Sequence, residues 1–181
     1  MSPQEAQQIL AEADLICSET EVVAAVARLA SELNVALVGR NPVVVSVMGG
    51  AVVFTGQLLP LLNFPLDFDY VHATRYGDAT AGGALQWVVE PRTSVRGRTV
   101  LLLDDILDEG ITLAAIRQHL LEAGASDCIT AVFADKDLGR SKPLVADYVG
   151  VSLPNRYVFG YGMDVSGAWR NLPAIYAVKG K

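Results

Sequence analysis

Cysteine is scarce in this chain. Cys17 and Cys128 are its only two cysteines in 181 residues, they lie too far apart for a metal-binding or disulfide spacing, and they read as buried free thiols in a reducing compartment. Basic residues are also in deficit. Fourteen Lys and Arg against 20 Asp and Glu leave a formal charge of −6 and a pI near 4.8, which argues against a general nucleic-acid surface because phosphate backbones are bound by an excess of cations. No apolar run reaches the about 18 residues of a membrane span, and MSPQEAQQIL at the start lacks the basic-then-apolar order of a secretory leader. Repeats, low-complexity tracts and interdomain linkers are missing too. The expectation is one domain over residues 1–181, cytoplasmic, with no membrane and no nucleic acid as partner.

What is present is a core. Half of the chain is apolar (51%), and a chain of this length buries roughly 70% of its unfolded surface. Ser2, Pro3 and Glu5 make a capping box with proline at the first helical position, and Ser18 with Glu21 make a second ahead of Val22, Val26, Leu29 and Leu33. Two amphipathic helices therefore lead the chain. Pro42 introduces a buried strand over Val43 to Val47, closed by Gly49 and Gly50, and helical spacing resumes from Ala51 to Leu62. Leu66 to Arg75 and Ala84 to Val89 read as strands around the glycine-containing GDATAGG. Thr99 to Leu103 is a central strand, Thr112 to Glu122 a helix ended by Gly124, and Cys128 to Ala134 a further strand. Alternating β and α units imply a parallel sheet. The apolar segment from Val52 to Phe64 suits either the core or an interface.

The chemistry concentrates in VLLLDDILDEGIT, Val100 to Thr112. An unbroken apolar run marks a strand buried on both faces, and open α/β sheets bind ligands beyond the carboxyl ends of such strands. Asp104, Asp105 and Asp108 stand there. Acids can accept sugar hydroxyls or hold a hydrated divalent cation, while N–H groups at the following helix start can take a phosphate. A plain acidic cap is the competing reading, but a cap needs one short polar residue and not three acids.

Four hydrophobic residues, two acids, two aliphatics, then Asp108, Glu109, Gly110 and Thr112 resemble the phosphoribosyl pyrophosphate (PRPP) signature of type I phosphoribosyltransferases. LPNRYVFGYGMDVSGAWRNL, from Leu153 to Leu172, is similar to the purine-binding segment of that family's 6-oxopurine branch, the hypoxanthine-guanine enzymes. The resemblance spans roughly Val43 to Val178. It implies an α/β fold with a parallel sheet flanked by helices (core about 35–150), a flexible hairpin loop, and a small hood built from the terminal segments (about 1–20 and 151–181).

The resemblance also implies roles. PRPP would lie on Asp104, Asp105, Asp108, Glu109, Gly110, Ile111 and Thr112, with Asp108 catalytic at the purine N7. Pyrophosphate would meet Met48, Gly49, Arg75, Tyr76 and Arg170, where Met48 replaces the Lys of many relatives. Gly77, Gly82 and Gly83 would let the loop close over the reacting sugar. The purine would meet Lys136, Tyr157, Val158 and Asp164. An ammonium carries donors only, so Lys136 would favour an oxopurine over adenine. Mg²⁺ would be the cofactor, with Asp104, Asp105 and Asp164 as its candidate ligands. Asp104 stands where many relatives have Glu, and Ile111 where some have Lys.

The implied activity is purine salvage: PRPP and hypoxanthine or guanine would give IMP or GMP and pyrophosphate, by a homodimer or homotetramer. Two alternatives stay open, a xanthine-preferring transferase and a non-catalytic PRPP-sensing regulator on the same fold.

Overall fold

The computed structural model describes residues 1–75 and 85–181. Helices α1 (Pro3–Glu12) and α2 (Glu19–Leu37) begin at the two expected capping boxes, each with the serine hydroxyl accepting from the backbone N–H three residues on and the glutamate accepting in return. They do not follow one another directly, because Asp14–Cys17 forms a short strand, β1. Four residues running from exposed Asp14 and Leu15 to buried Cys17 carry too little periodicity to announce a strand, and the partner of β1 is β9, far along the chain.

The main sheet combines β2 (Val43–Val47), β3 (Asp67–Arg75), β4 (Leu85–Val89), β5 (Thr99–Leu107), β6 (Asp127–Lys136) and β7 (Tyr148–Leu153) in the order β4-β3-β2-β5-β6-β7. All neighbours are parallel except β3 and β4, so the expected parallel α/β sheet is borne out. Alternation sorts its core. Leu101 and Leu103 pack with Leu29, Leu33 and Phe54 on one face, while Val100 and Leu102 pack with Leu113, Ile116 and Leu120 on the other. The first face is covered by α2 and α3 (Val52–Leu58), and the second by α4 (Ile111–Glu122).

Several boundaries differ from the sequence reading. The helix expected up to Leu62 gives way after Leu58 to a single tighter turn, Leu59–Leu61, where Pro60 cannot donate to the α-helical ladder. Phe54, Leu58 and Phe64 of that segment are buried, while Val52 and Leu61 are exposed. β5 continues four residues past Leu103, because its ladder with β6 runs on to the Leu107–Asp135 pair. A second sheet, β1-β9-β8, joins β1 to β8 (Val158–Phe159) and β9 (Ile175–Ala177), all antiparallel.

Candidate active site

The carboxyl ends of β5 and β6 meet the β8 segment around two adjoining cavities. The larger, ≈ 310 Å³, is lined by Asp104 and by Ile106 to Leu113. Asp104 and Asp105 are the last part of β5 and not a turn beyond it. The Asp105 N–H donates to Asp104 Oδ1 (3.0 Å) and the Ile106 N–H to Asp105 Oδ1 (2.8 Å). Burial pushes the Asp104 carboxyl well above the usual carboxylate range, and the Asp105 charge adds to the rise. Burial also raises Asp105, against the pull of its hydrogen bonds with Asp104 and Ile106 and of the Arg170 charge. None of the acids caps α4: the cap is Gly110 in the left-handed region (φ 76) with no side-chain hydrogen bond, so the simple-cap reading fails.

The second cavity, ≈ 180 Å³, is lined by Asp105, Ile106, Asp108, Lys136, Tyr157, Val158, Met163, Asp164 and Arg170. Asp108 belongs to both. Lys136 closes β6, its side chain 10% exposed, and its Nζ donates to Asp108 Oδ2 at 2.6 Å. Tyr157 is 43% exposed and precedes the buried Val158 on the edge strand β8. Arg170 is held by Asp164 (2.6 Å) and by the Gly162 carbonyl (2.7 Å). Its neighbour Trp169, at φ 68, donates from Nε1 to the Ala6 carbonyl in α1 (2.8 Å).

The turn after β2 carries Met48, whose N–H donates to the Val71 carbonyl (2.7 Å), and a cis Met48–Gly49 peptide. A Cβ on Gly49 would meet nothing within 4 Å, whereas one on Gly50 would fall 1.9 Å from Asp105 Oδ2. Gly162, at φ +98, lies under the same pressure: its Cβ would fall 2.1 Å from the Gly50 carbonyl oxygen. Arg75 ends β3. Its side chain, Tyr76 and the loop glycines Gly77, Gly82 and Gly83 lie outside the described residues.

Residues 14–166 match the family profile described as the phosphoribosyl transferase domain. The chain belongs to that family. Among relatives, it is 36% identical over 166 residues to the bifunctional protein TilS/HprT of Listeria innocua, covering 91% of this chain and 26% of that one. It thus spans about a quarter of the length of such bifunctional proteins. It is 32% identical to the hypoxanthine-guanine-xanthine phosphoribosyltransferase of Tritrichomonas foetus, covering 91% of each. A solved hypoxanthine-guanine-xanthine phosphoribosyltransferase superposes with a TM-score of 0.83 at 30% identity, covering 92% of this chain and 96% of the other. A mutant hypoxanthine phosphoribosyltransferase of Trypanosoma cruzi, in a ternary substrates complex, gives 0.86 at 28% identity, covering 94% and 97%.

Within the phosphoribosyl transferase frame, the expected residues segregate by cavity. Asp104, Glu109, Gly110, Ile111 and Thr112 line one; Asp105, Lys136, Tyr157, Val158, Asp164 and Arg170 line the other; Asp108 bridges them. Sequence reasoning passed over four members. Gly50 was legible only as a turn residue, Gly162 had no signal, and Arg140 and Lys142 reach the site from the β6–β7 connection: Arg140 pairs with Glu109 at 2.5 Å, and Lys142 reaches Asp135 at 2.6 Å.

The expected metal ligands behave unequally. Among the described residues no group of three or more His, Cys, Asp or Glu side chains is placed to hold a metal ion, and Asp164 is engaged by Arg170. Asp104 and Asp105, adjacent and repelling each other in a partly desolvated site, are the pair that a cation would relieve. Two carboxylates suit Mg²⁺, which draws its remaining oxygens from water and substrate.

Proposed function

We propose that this protein transfers the 5-phosphoribosyl group of PRPP to N9 of a 6-oxopurine, hypoxanthine or guanine, yielding IMP or GMP and pyrophosphate in purine salvage. The observation that carries the reading is the Lys136–Asp108 pair, 2.6 Å across, standing where the two cavities meet. One carboxylate then serves both substrates. The 5′-phosphate sits on the segment from Asp108 to Thr112 at the start of α4, where helix N–H groups and the dipole favour an anion. The base stacks on the exposed ring of Tyr157, an interaction worth about 1–3 kcal/mol per base, and Val158 offers it edge-strand backbone groups.

Lys136 donates to O6 of the purine, which an oxopurine can accept and the amino group of adenine cannot. As the N9 lone pair forms its bond to C1′, the electrons of the C1′–O bond leave with pyrophosphate, inverting the sugar carbon. The proton at N7 passes to Asp108, general-base work typically worth about 10²–10⁴-fold. Arg170, with Asp164 to orient it, stabilises the charge on the departing pyrophosphate beside the Met48–Gly49 turn. Arg75 and Tyr76 are proposed at the same group. Asp104 and Asp105 would hold Mg²⁺ together with substrate oxygens, and the ion supplies charge neutralisation to the phosphates when bound.

The same proposal places the protein in the cytoplasm, in keeping with two buried, unpaired thiols, and assembles it as a homodimer or homotetramer. Among the described residues no helix is long and apolar enough to cross a membrane. The test is nucleotide formation from PRPP, Mg²⁺ and each of hypoxanthine, guanine, xanthine and adenine. Turnover of oxopurines but not adenine, reduced about 10²-fold or more by Asp108→Asn, supports the reading. Preference for xanthine would move the substrate. Absence of turnover with PRPP binding intact would refute the enzyme and bring the PRPP-sensing regulator forward.

A further inference from the structure

We propose that Lys142 is the positioning residue that sets the distance between Asp108 and Lys136. This rests on the function proposed above and adds a part to it. Lys142 lies on the connection between β6 and β7, yet its side chain is only 8% exposed. Its Nζ donates to the Leu107 carbonyl and to Asp135 Oδ1, both at 2.6 Å. Leu107 and Asp135 are the last register pair of the β5–β6 ladder. The next residue on each strand is a member of the pair that carries the chemistry: Asp108 after Leu107, and Lys136 after Asp135.

One buried ammonium thus ties off the ladder a single residue before the reacting groups. Parallel strands splay where their hydrogen bonds stop, and β5 leaves the sheet at this point to enter the phosphate-binding turn. Lys136 is registered against Leu153 of β7 and Glu109, after Asp108, pairs with Arg140, but it is Lys142 that joins β5 to β6 one residue before the pair, so without it the spacing of Asp108 and Lys136 loses its most direct restraint. Successive side chains on a strand point to opposite faces, so Asp135 turns to Lys142 while Lys136 turns to the base cavity. Lys142 therefore holds the frame without touching substrate. Its stem also packs under the phosphate turn: a Cβ on Gly110 would meet Lys142 Cβ at 3.5 Å. Two N–H bonds to charged or carbonyl acceptors in a buried setting are strong enough for this work.

Lys142→Met keeps the stem and removes the donors. Measured well below its unfolding midpoint, it is expected to lose about tenfold or more in kcat for hypoxanthine and to raise the KM for hypoxanthine, since small displacements of reacting groups cost this much. PRPP affinity by calorimetry should stay within about threefold, because the phosphate turn keeps its packing and its N–H groups. Lys142→Arg, which can reach both acceptors, should recover most of the rate. Wild-type kinetics in folded Lys142→Met would overturn the proposal, as would a parallel loss of PRPP binding, which would mean that the turn itself had collapsed. Should Lys142→Met fail to fold, Asp135→Asn keeps an acceptor oxygen and removes the charge that fixes the ammonium; a kcat loss of about threefold or more is then expected, and none would overturn the idea. Turnover by the wild-type protein is the separate control: if it makes no nucleotide, the function fails and not the role of Lys142.

Discussion

Gly50→Ala tests whether the close packing behind Asp105 is needed for the reaction. The added methyl would fall 1.9 Å from Asp105 Oδ2 and 2.4 Å from its Cγ. Carbon and oxygen at rest keep roughly 3.4 Å or more, so the carboxylate must retreat by roughly 1.5 Å. Gly50 is not among the left-handed glycines, so alanine meets no backbone objection; the whole effect is the collision. A reacting-site displacement of about 1 Å costs on the order of 10²-fold, near 2.7 kcal/mol of transition-state stabilisation. The assay is kcat/KM for nucleotide formation from PRPP and hypoxanthine, at a temperature where circular dichroism shows the variant folded. Gly56→Ala is the control: in α3, with nothing within 4 Å of the new methyl, it should leave the rate unchanged and gain about 0.5–1 kcal/mol of stability from helix propensity. The route through Asp105 is checked by a double-mutant cycle, in which Gly50→Ala should cost little once Asp105→Ala is already present. A folded Gly50→Ala protein with kcat/KM within about threefold of wild type would refute the reasoning.

Two further outcomes follow from the buried titrating groups. Asp104→Asn should raise the thermal midpoint of the ligand-free protein at pH 7 by a few degrees while weakening PRPP and Mg²⁺ binding, since Asn keeps the oxygen that accepts from the Asp105 N–H. Burial raises the folded carboxyl of Asp104, so the folded state binds the proton more tightly than the unfolded state. Its contribution therefore turns less favourable as pH rises from about 3.9 through the raised folded value, and melting curves between pH 4 and 8 should show the variant's advantage growing with pH. The Cys128 thiol is pushed up to about 12, chiefly by burial, so a thiolate-specific reagent at pH 8 should label it only as fast as the protein opens; labelling at the rate of a free thiol would contradict its burial.

Much of the frame was legible in the chain because its signals are local. The capping boxes at Ser2 and Ser18 mark both helix starts, and the unbroken run from Val100 to Leu103 marks a strand covered on both faces. The order of Lys136, Tyr157, Asp164 and Arg170 was legible through the family resemblance, and the structure gathers these residues around one cavity. Contacts between distant segments were not legible. β1 is four residues long and finds its partner only in β9. Asp104 and Asp105 fall inside β5 because the β6 ladder carries the strand on to Leu107, a tertiary effect that no window of sequence contains. The same holds for Gly50 and Gly162, which must be glycine because of where Asp105 and the Gly50 carbonyl come to rest, and for Lys142, which looks like an ordinary loop lysine until β5 and β6 are side by side.

The hydrogen bond from Trp169 to Ala6 joins residues 163 positions apart, and the β1–β9 pairing spans nearly the same distance. These contacts set the start of α1 and β1 directly behind the segment that carries Tyr157 and Arg170, although no residue of α1 or β1 lines either cavity. Cys17, Val158, Ile175 and Ala177 also share one core with Leu101 and Leu103, so the small sheet and the main sheet are not separate bodies. Residues at opposite ends of the numbering therefore act as one buttress, and a change at Ala6 or Cys17 reaches Arg170 through the backbone of its neighbour Trp169 without touching the site itself.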